Sequence, residues 1–229
     1  MQITFLGQSG FAVDTGRFLL LFDYAPRRQA AVTDPILQTL IRNRRLLVFV
    51  SHRHEDHYTE AVWNLPAEGW FVGEGVVPQK EAAVLVGGET LTFPDFSIKT
   101  YRSTDEGVAF LVRVDGCSIY HAGDLNWWHW SGEPDPWNPD MAKAFLEQAE
   151  QIIREPIDLA FLTADPRQHE AWLWGLDYLM RHGQIRLAVP MHFWNQAATP
   201  AKVASADCTE PYRDRLITAL RRCGDRLSL

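Results

Sequence analysis

Residues 52–57 have the sequence His-Arg-His-Glu-Asp-His and follow directly on an apolar stretch that is typical of a buried strand. Three imidazoles and an aspartate at one strand end are costly to bury unless they share a partner, and a divalent cation is the simplest such partner. If the segment leaves the strand as a loop, His52 and His54 face one position while Asp56 and His57 turn toward a neighbouring one. The run therefore predicts a fold in which a strand ends at a metal centre, with two adjacent ions rather than one.

Two later segments end in further ligand types after apolar stretches. Residues 119–124, Ile-Tyr-His-Ala-Gly-Asp, are typical of a strand that ends in a Gly-Asp turn, and residues 187–192 are typical of a late strand followed by a histidine. Together with the H-x-H-x-D-H run, these segments resemble the metal motifs of the metallo-β-lactamase fold superfamily. The chain looks like the small lactonase-like branch that includes L-ascorbate-6-phosphate lactonase, in which an opening hairpin leads to an aspartate.

The resemblance carries expectations about fold and metal. It implies an α/β (α+β) chain folded as the superfamily's metallo-β-lactamase-like αββα four-layer sandwich. It implies two divalent metal ions, zinc first, with Asp124 as the carboxylate that bridges them and His192 as the last ligand.

One position departs from the superfamily's pattern, because no histidine occurs from residue 58 to residue 120. The third motif of the superfamily supplies a histidine there, and the matching loop of this chain, residues 102–106, is Arg-Ser-Thr-Asp-Glu. Asp105 is the substitute that we predict, with Glu106, His121 or water as alternatives, or an ordinary Ser-Thr-Asp turn without a metal. A third carboxylate would make the ligand set harder than is usual for zinc, so manganese or iron becomes a competitor. The predicted metal ligands are His52, His54, Asp56, His57, Asp105, Asp124 and His192.

Length and composition indicate one domain over residues 1–229, since 46% hydrophobic and 22% charged residues are ordinary for a globular protein with a substantial core. A net charge of −7 argues against nucleic acid as a partner. Neither an apolar run that could span a bilayer nor a secretory leader is evident, so we expect a cytoplasmic protein that does not bind a membrane. The three cysteines suggest buried thiols rather than a disulfide framework or a zinc ribbon.

Strands and helices alternate along the rest of the chain. Helix starts are predicted at Asp34-Pro35 and near Asn138, where a capping residue precedes a proline, and a short helix is expected near residues 58–61. A last helix is predicted from about Pro211 to Cys223, because its apolar residues recur at helical spacing and a glycine follows.

A loop rich in tryptophan and proline follows the predicted bridging aspartate, over residues 125–137. Its rings could form a wall or a lid for a substrate, or equally a packed loop or the subunit interface of a homo-oligomer. Arg167, in the loop after another strand, could bind a phosphate or a carboxylate, whereas the alternative is an ordinary Asp-Pro helix start with an exposed arginine. The candidate substrate residues are Trp127, Trp128, Asp165, Arg167 and Trp194.

The resemblance implies a metal-dependent hydrolase that uses a metal-activated hydroxide on a small ester, lactone or phosphoester. Asp56 would hold and orient that hydroxide while Asp124 bridges the ions, which makes these two aspartates the candidate catalytic residues. One alternative is a phosphodiesterase or nuclease of the same fold, although no basic groove is evident. Another is a degenerate member that binds metal without catalysis. A di-iron redox protein is disfavoured, because His54 stands where that branch carries a glutamate.

Overall fold

The computed structural model describes residues 1–26, 35–194 and 196–229, and the strands of this part of the chain form two mixed sheets. The first sheet has the spatial order β13 (Arg226–Ser228), β1 (Gln2–Gly7), β2 (Gly10–Asp14), β3 (Phe18–Phe22), β4 (Arg45–Val50), β5 (Gly69–Gly73) and β6 (Ala83–Leu85). The second has the order β12 (Gln184–Met191), β11 (Pro156–Thr163), β10 (Cys117–His121), β9 (Val108–Val114), β8 (Phe96–Arg102) and β7 (Thr90–Thr92).

The strands that lead to most of the predicted metal ligands are parallel to their neighbours. In the first sheet, β3 to β6 are parallel, whereas β13, β1, β2 and β3 pair in antiparallel fashion. In the second sheet, β10, β11 and β12 are parallel, whereas β7 to β10 are antiparallel. Because the carboxyl ends of parallel strands meet at one edge of a sheet, the loops after β3 and β4 emerge together, and so do those after β10, β11 and β12.

Aromatic side chains fill the space between the two sheets. Phe22 stacks on Phe49 with 4.8 Å between ring centroids, and Phe11 lies 4.2 Å from Phe161 of the second sheet. Phe49 also meets Phe110 edge to face at 5.4 Å. These rings are fully buried, and each contributes about 1.5–3 kcal/mol to stability through its burial. The dense packing holds the two sheets, and therefore the loops at their edges, in a fixed relation.

Helices cover the outer faces of the two sheets. The α-helices are α1 (Pro35–Ile41), α2 (Trp137–Ile152), α3 (Trp174–His182) and α4 (Thr199–Ser205). Leu37 of α1 and Trp63 of a 3-10 helix at Glu60–Asn64 pack on the outer face of the first sheet. Phe145 of α2 and Leu179 of α3 pack on the second sheet. The predicted αββα arrangement is therefore confirmed. Across the described ranges, no helix is both long enough and apolar enough to cross a membrane.

The predicted last helix from Pro211 to Cys223 is wrong. The chain forms a 3-10 helix at Asp207–Arg215 and then runs in an extended, irregular path, with Leu216 paired in parallel to Ala188 of β12. The N–H of Ile217 donates to the Ala188 carbonyl at 2.8 Å. Pro211 has no N–H to donate at the start of the segment, and the exposed edge of β12 offers the backbone another hydrogen-bond partner. The apolar residues at helical spacing therefore do not form a helix.

The other two predicted helix starts are close to those of the structure. Helix α1 begins at Pro35, and Asp34 lies outside the described residues. Helix α2 begins at Trp137, one residue before the predicted cap. The Asn138 side chain accepts a hydrogen bond from the Trp130 N–H and donates one to the Trp130 carbonyl, each at 3.0 Å. It therefore ties the tryptophan-rich loop to α2 rather than capping the helix.

Three glycines surround the backbone of Ser51, which directly precedes the histidine-rich run. A Cβ atom on Gly73 or on Gly107 would overlap the carbonyl oxygen of Ser51, and one on Gly123 would lie 2.7 Å from the Ser51 Cβ. Gly107 also has a φ of +69°, in the left-handed region. The close approach at Gly107 brings the loop that carries Asp105 against the end of β4.

We expect Gly107→Ala to be far more destabilising than Gly116→Ala. Both glycines have a positive φ, but a Cβ at Gly116 meets nothing within 4 Å, so this control reports backbone strain alone. The control should cost about 1–2 kcal/mol in the free energy of unfolding, and Gly107→Ala about 3 kcal/mol or more, because it adds an overlap with Ser51. Urea denaturation measures both, and equal losses would contradict the proposed close packing.

Candidate metal centre

Seven histidine and aspartate side chains converge at the shared edge of the two sheets. They form two groups, and within each group the potential ligand atoms all lie within 4.8 Å of one another. The first group is His52, His54, Asp105 and Asp124, and the second is Asp56, His57 and His192. The structure therefore brings together every side chain that the sequence predicts as a metal ligand.

Asp124 lies between the two groups. Its Oδ2 atom is 3.7 Å from the Nε2 atom of His52, whereas its Oδ1 atom is 3.1 Å from Nε2 of His57 and 3.3 Å from Nε2 of His192. The preceding Gly123 has a φ of +54°, which turns the chain sharply after β10 and directs the carboxylate into the centre. One carboxylate that presents each oxygen to a different group of imidazoles has the arrangement of a bridging ligand.

Asp105 occupies the position where the chain lacks a histidine. Its Oδ2 atom is 3.6 Å from Nδ1 of His54, and its N–H donates to Ser103 Oγ at 3.1 Å. Burial and the neighbouring Asp124 carboxylate raise the pKa of Asp105. The alternative Glu106 instead forms a bidentate ion pair with Arg53 at 2.8 Å and comes no nearer than 3.9 Å to His54. The loop therefore presents Asp105, rather than Glu106, to the first group.

The donor atoms at the centre need a partner. His57 Nε2, His192 Nε2 and Asp124 Oδ1 are buried, and none of them has a hydrogen-bond partner among the residues that the structure describes. An unsatisfied buried polar atom costs about 1–3 kcal/mol. Imidazole nitrogens and carboxylate oxygens that point at one another fit divalent transition metals, which would satisfy all three atoms. The residues present therefore fit the metal that the resemblance implies.

The pKa values of the imidazoles show the opposing effects of burial and of the neighbouring carboxylates. Burial opposes protonation, yet the charge of Asp124 and the nearby carboxylates of Asp165 and Asp56 raise the pKa of His192 to about 9. The same competition, dominated by Asp124, raises the pKa of His57 well above its usual value. Burial and the charge of His57 lower the pKa of His52 to about 4. The carboxylates thus create a potential that attracts cations, and His52 offers a neutral nitrogen.

Asp23, which directly follows β3, positions Ser51 and His57. Its buried carboxylate accepts hydrogen bonds from the Ser51 N–H at 2.7 Å and from the Ser51 hydroxyl at 2.6 Å, and it lies 2.7 Å from Nδ1 of His57. Burial opposes its charge, but nearby His121 and His57 hold the pKa of Asp23 below its usual value. With Nδ1 of His57 engaged by Asp23, its Nε2 faces the centre, as is common for metal-binding histidines.

Asp165 has the same relation to His192. Its carboxylate lies 3.1 Å from His192 Nδ1, accepts a hydrogen bond from Trp194 Nε1 at 3.1 Å and is paired with the Arg167 guanidinium. Burial opposes its charge, yet the hydrogen bonds with His192 and Arg167 lower the pKa of Asp165 to about 2. Because Asp165 is fully buried, the structure places this candidate substrate residue behind His192, where it orients the imidazole.

His121 lies behind the centre and supports the turn that carries Asp124. Its Nε2–H donates to the Ser9 carbonyl at 2.8 Å, and its Nδ1 accepts the Gly123 N–H at 3.1 Å. The ring stacks on Phe22 with centroids 5.0 Å apart. Both nitrogens are occupied away from the centre, so the structure does not present His121 as an alternative ligand.

Gln8, in the turn between β1 and β2, is a site residue that sequence reasoning missed. Its Nε2 donates to Asp56 Oδ2 at 3.3 Å, and its Oε1 accepts the Trp194 N–H at 2.9 Å. Its backbone carbonyl accepts the His192 N–H at 3.2 Å. The only sequence signal is the Gly-Gln-Ser-Gly turn, which gives Gln8 a φ of +49°. Gln8 thus links Asp56, which follows β4, to His192 and Trp194, which follow β12.

A cavity of about 290 Å³ opens beside the first group. It is lined by Thr104, Asp105, Asp124, Trp128, Trp130, Trp137, Met141 and Arg167. Trp128 stacks on Trp130 with centroids 5.7 Å apart, and its Nε1 donates to the Asp124 carbonyl at 3.0 Å. Of the two tryptophans predicted from this loop, Trp128 lines the cavity, whereas Trp127 packs away from it, 5.7 Å from Phe145. Trp130 of the same loop and Trp137 and Met141 of α2 also line the cavity, although they are not among the candidate substrate residues predicted from the sequence.

Comparisons with known proteins agree with this architecture. Residues 2–129 match the beta-lactamase superfamily domain. A protein named metal-dependent hydrolase from Opitutus terrae is 28% identical over 226 residues, which cover 84% of this chain and 85% of that protein. The structure of a metallo hydrolase from Ignicoccus hospitalis superposes with a TM-score of 0.68 at 16% identity, over 99% of this chain and 97% of that one.

A second solved structure, described as a putative metal-dependent hydrolase from Parabacteroides distasonis, has a TM-score of 0.61 at 14% identity. It covers 94% of this chain and 90% of that one, so the shared fold extends well beyond the matched residues 2–129. The sequence match spans more than half of the chain, and the protein therefore belongs to the beta-lactamase superfamily, as the order of its histidines and aspartates predicts.

Proposed function

We propose that the protein is a metal-dependent hydrolase of a small ester, lactone or phosphoester. The observation that carries the proposal is the convergence of six ligand side chains around Asp124. Three buried polar atoms of this set, one each on His57, His192 and Asp124, need a partner that a cation would provide. The cavity beside them has about the volume of a small-molecule site, which supports a small substrate rather than a polymer. The metal-dependent hydrolase from Opitutus terrae is a relative over most of both chains and supports the same class.

The residues divide into two metal positions that share Asp124. His52, His54 and Asp105 would hold one ion together with one oxygen of Asp124. Asp56, His57 and His192 would hold the other together with the second oxygen. Zinc suits the imidazoles, and three carboxylates in the set make manganese and iron its competitors.

The chain's own residues provide the remaining requirements of hydrolysis. When bound, divalent ions at these ligands would lower the pKa of a coordinated water and polarise the bond to be cleaved. The Asp56 side chain is 26% exposed and fixed by Gln8, so its carboxylate can accept a hydrogen bond from the attacking water and orient it. Trp128 and Trp130 form a wall of the cavity that Asp105 and Asp124 also line, which would limit the access of water to a bound substrate.

Three further features of the proposal concern the chain as a whole. We propose a single domain over residues 1–229, which is supported by a main apolar cluster that contains residues of both sheets and of α2 and α3. The cytoplasmic location and a homo-oligomeric state stay predictions from the sequence. The net charge of −7 supports a substrate other than nucleic acid.

The metal content of two neighbouring variants tests the role of Asp105. The parent purified without chelator should contain about two equivalents of metal, and Asp105→Ala should fall toward about one, because one position loses a carboxylate ligand. Glu106→Ala is the matched control, since this adjacent carboxylate is paired with Arg53, and its content should stay at the parent value. Elemental analysis gives the result, and unchanged metal in Asp105→Ala would move the third-motif ligand elsewhere.

Turnover tests the hydrolase itself. Asp56→Asn should reduce kcat by about 10²–10⁴-fold on any ester, lactone or phosphoester that the parent cleaves, because the attacking water loses its orienting carboxylate and one metal position loses a ligand. Asp158→Asn changes a carboxylate remote from the centre and should retain parent activity. Circular dichroism should show the parent fold in both variants.

Chelation of the parent should abolish the same activity, and restored metal should recover it. A parent that binds metal but cleaves none of these substrate classes would instead be a non-catalytic member of the superfamily. Cleavage that survives both chelation and Asp56→Asn would contradict the assignment of the site.

A further inference from the structure

Arg167 is held rigidly at the mouth of the cavity. It follows β11 in a 3-10 turn, and its Nε atom donates to both carboxylate oxygens of Asp165, at 3.0 and 2.9 Å. Its Nη2 atom donates to Asp165 Oδ2 at 2.5 Å, and its backbone N–H donates to Oδ1 at 2.9 Å. The guanidinium is therefore fixed before any ligand arrives, which removes most of the entropy cost of ordering it.

Two tryptophan rings flank this guanidinium. The Cζ atom of Arg167 is 4.2 Å from the ring centroid of Trp194 and 5.6 Å from that of Trp130. Cation–π contacts of this kind hold the plane of the guanidinium while leaving its edges available. The side chain is nevertheless 48% exposed and lines the same cavity as Asp105 and Asp124.

One edge of the guanidinium is available to a ligand. A guanidinium presents two forks of donors, and Asp165 occupies the fork formed by Nε and Nη2. Among the described residues, Nη1 donates no hydrogen bond, so the second fork, formed by Nη1 and Nη2, can still receive an oxyanion. Asp165 also interacts with Nδ1 of His192 and accepts a hydrogen bond from Nε1 of Trp194, so Arg167 is not its only partner. The exposed edge of the guanidinium can therefore attract a further anion.

We propose that the substrate carries an oxyanion, a carboxylate or a phosphate, that binds the free edge of Arg167. Its apolar body lies against Trp128, Trp130 and Met141, and its reacting bond reaches the end of the cavity formed by Asp105 and Asp124. The inference rests on the proposed function, because it names the substrate class of the same site.

Three probes with the same phenylpropyl body test the inference by isothermal titration calorimetry of the zinc-loaded protein. 4-Phenylbutyrate and 3-phenylpropylphosphonate carry the two kinds of oxyanion, and 4-phenylbutanamide is their neutral counterpart. In Arg167→Met, the affinity for the favoured anion should fall by about ten- to a hundredfold, the range of a lost charge-assisted pair of hydrogen bonds. The affinity for the amide should stay the same, and the more weakened anion identifies the natural group.

Two further variants separate charge, geometry and metal binding. Arg167→Lys keeps a charge near Asp165 but loses the fork, and it should lose part of the anion affinity. Arg186→Met removes an exposed arginine that only approaches Asp158 at 3.6 Å, and it should bind all three probes as the parent does. Elemental analysis checks each variant, because Asp165 links Arg167 to His192. If Arg167→Met loses metal, Arg167→Lys provides the decisive comparison.

Several outcomes would overturn the inference. Anion binding that is unchanged in Arg167→Met would show that the oxyanion binds the metals directly, and a loss shared by the amide would show that Arg167 only shapes the cavity. Failure of the parent to bind either anion would also reject it. Anions that bind through Arg167 while no ester, lactone or phosphoester is cleaved would reject the proposed hydrolase and leave this anion site in place.

Discussion

The buried carboxylate of Asp23 is the interaction on which the centre depends. It stands at the end of β3 with a φ of +42°, a conformation that few non-glycine residues adopt, and it engages the backbone and side chain of Ser51 and the ring of His57. The Ser51 hydroxyl in turn lies 2.9 Å from His52 Nδ1. A buried charge with this many partners fixes all of them, because loss of the carboxylate would leave several buried donors unsatisfied.

Asp165 repeats this arrangement on the second sheet and adds a connection to the cavity. Each of these two carboxylates engages the Nδ1 atom of one imidazole, so the Nε2 atoms of His57 and His192 both point toward Asp124. Asp165 also fixes Arg167, whereas Asp23 has no such second role among the described residues. The buried carboxylate of Asp165 therefore joins the metal position that contains His192 to the proposed anion site at Arg167. A substitution at either site should affect binding at the other.

The sequence predicted the features that depend on local pattern and missed those that depend on distant contacts. The H-x-H-x-D-H run and the Gly-Asp turn are short segments at strand ends, and their place in the fold follows from the strand pattern alone. Gln8 escaped notice because its partner Trp194 lies 186 residues away. Trp127 and Trp128 differ by one position, and which of them lines the cavity depends on how the loop packs against α2. The predicted last helix failed for a similar reason, because pairing with β12 competes with local helical spacing.

The loop that carries Asp105 is packed closely against the end of β4. Because an aspartate side chain is short, the position of the Asp105 carboxylate follows that of its backbone, and its Oδ2 atom lies 3.6 Å from His54 Nδ1. Gly107 permits this approach, because the side chain of any larger residue would overlap the Ser51 carbonyl oxygen, to which the Val108 N–H donates at 3.1 Å. The crowded glycine therefore holds the loop in the position from which the Asp105 carboxylate faces His54.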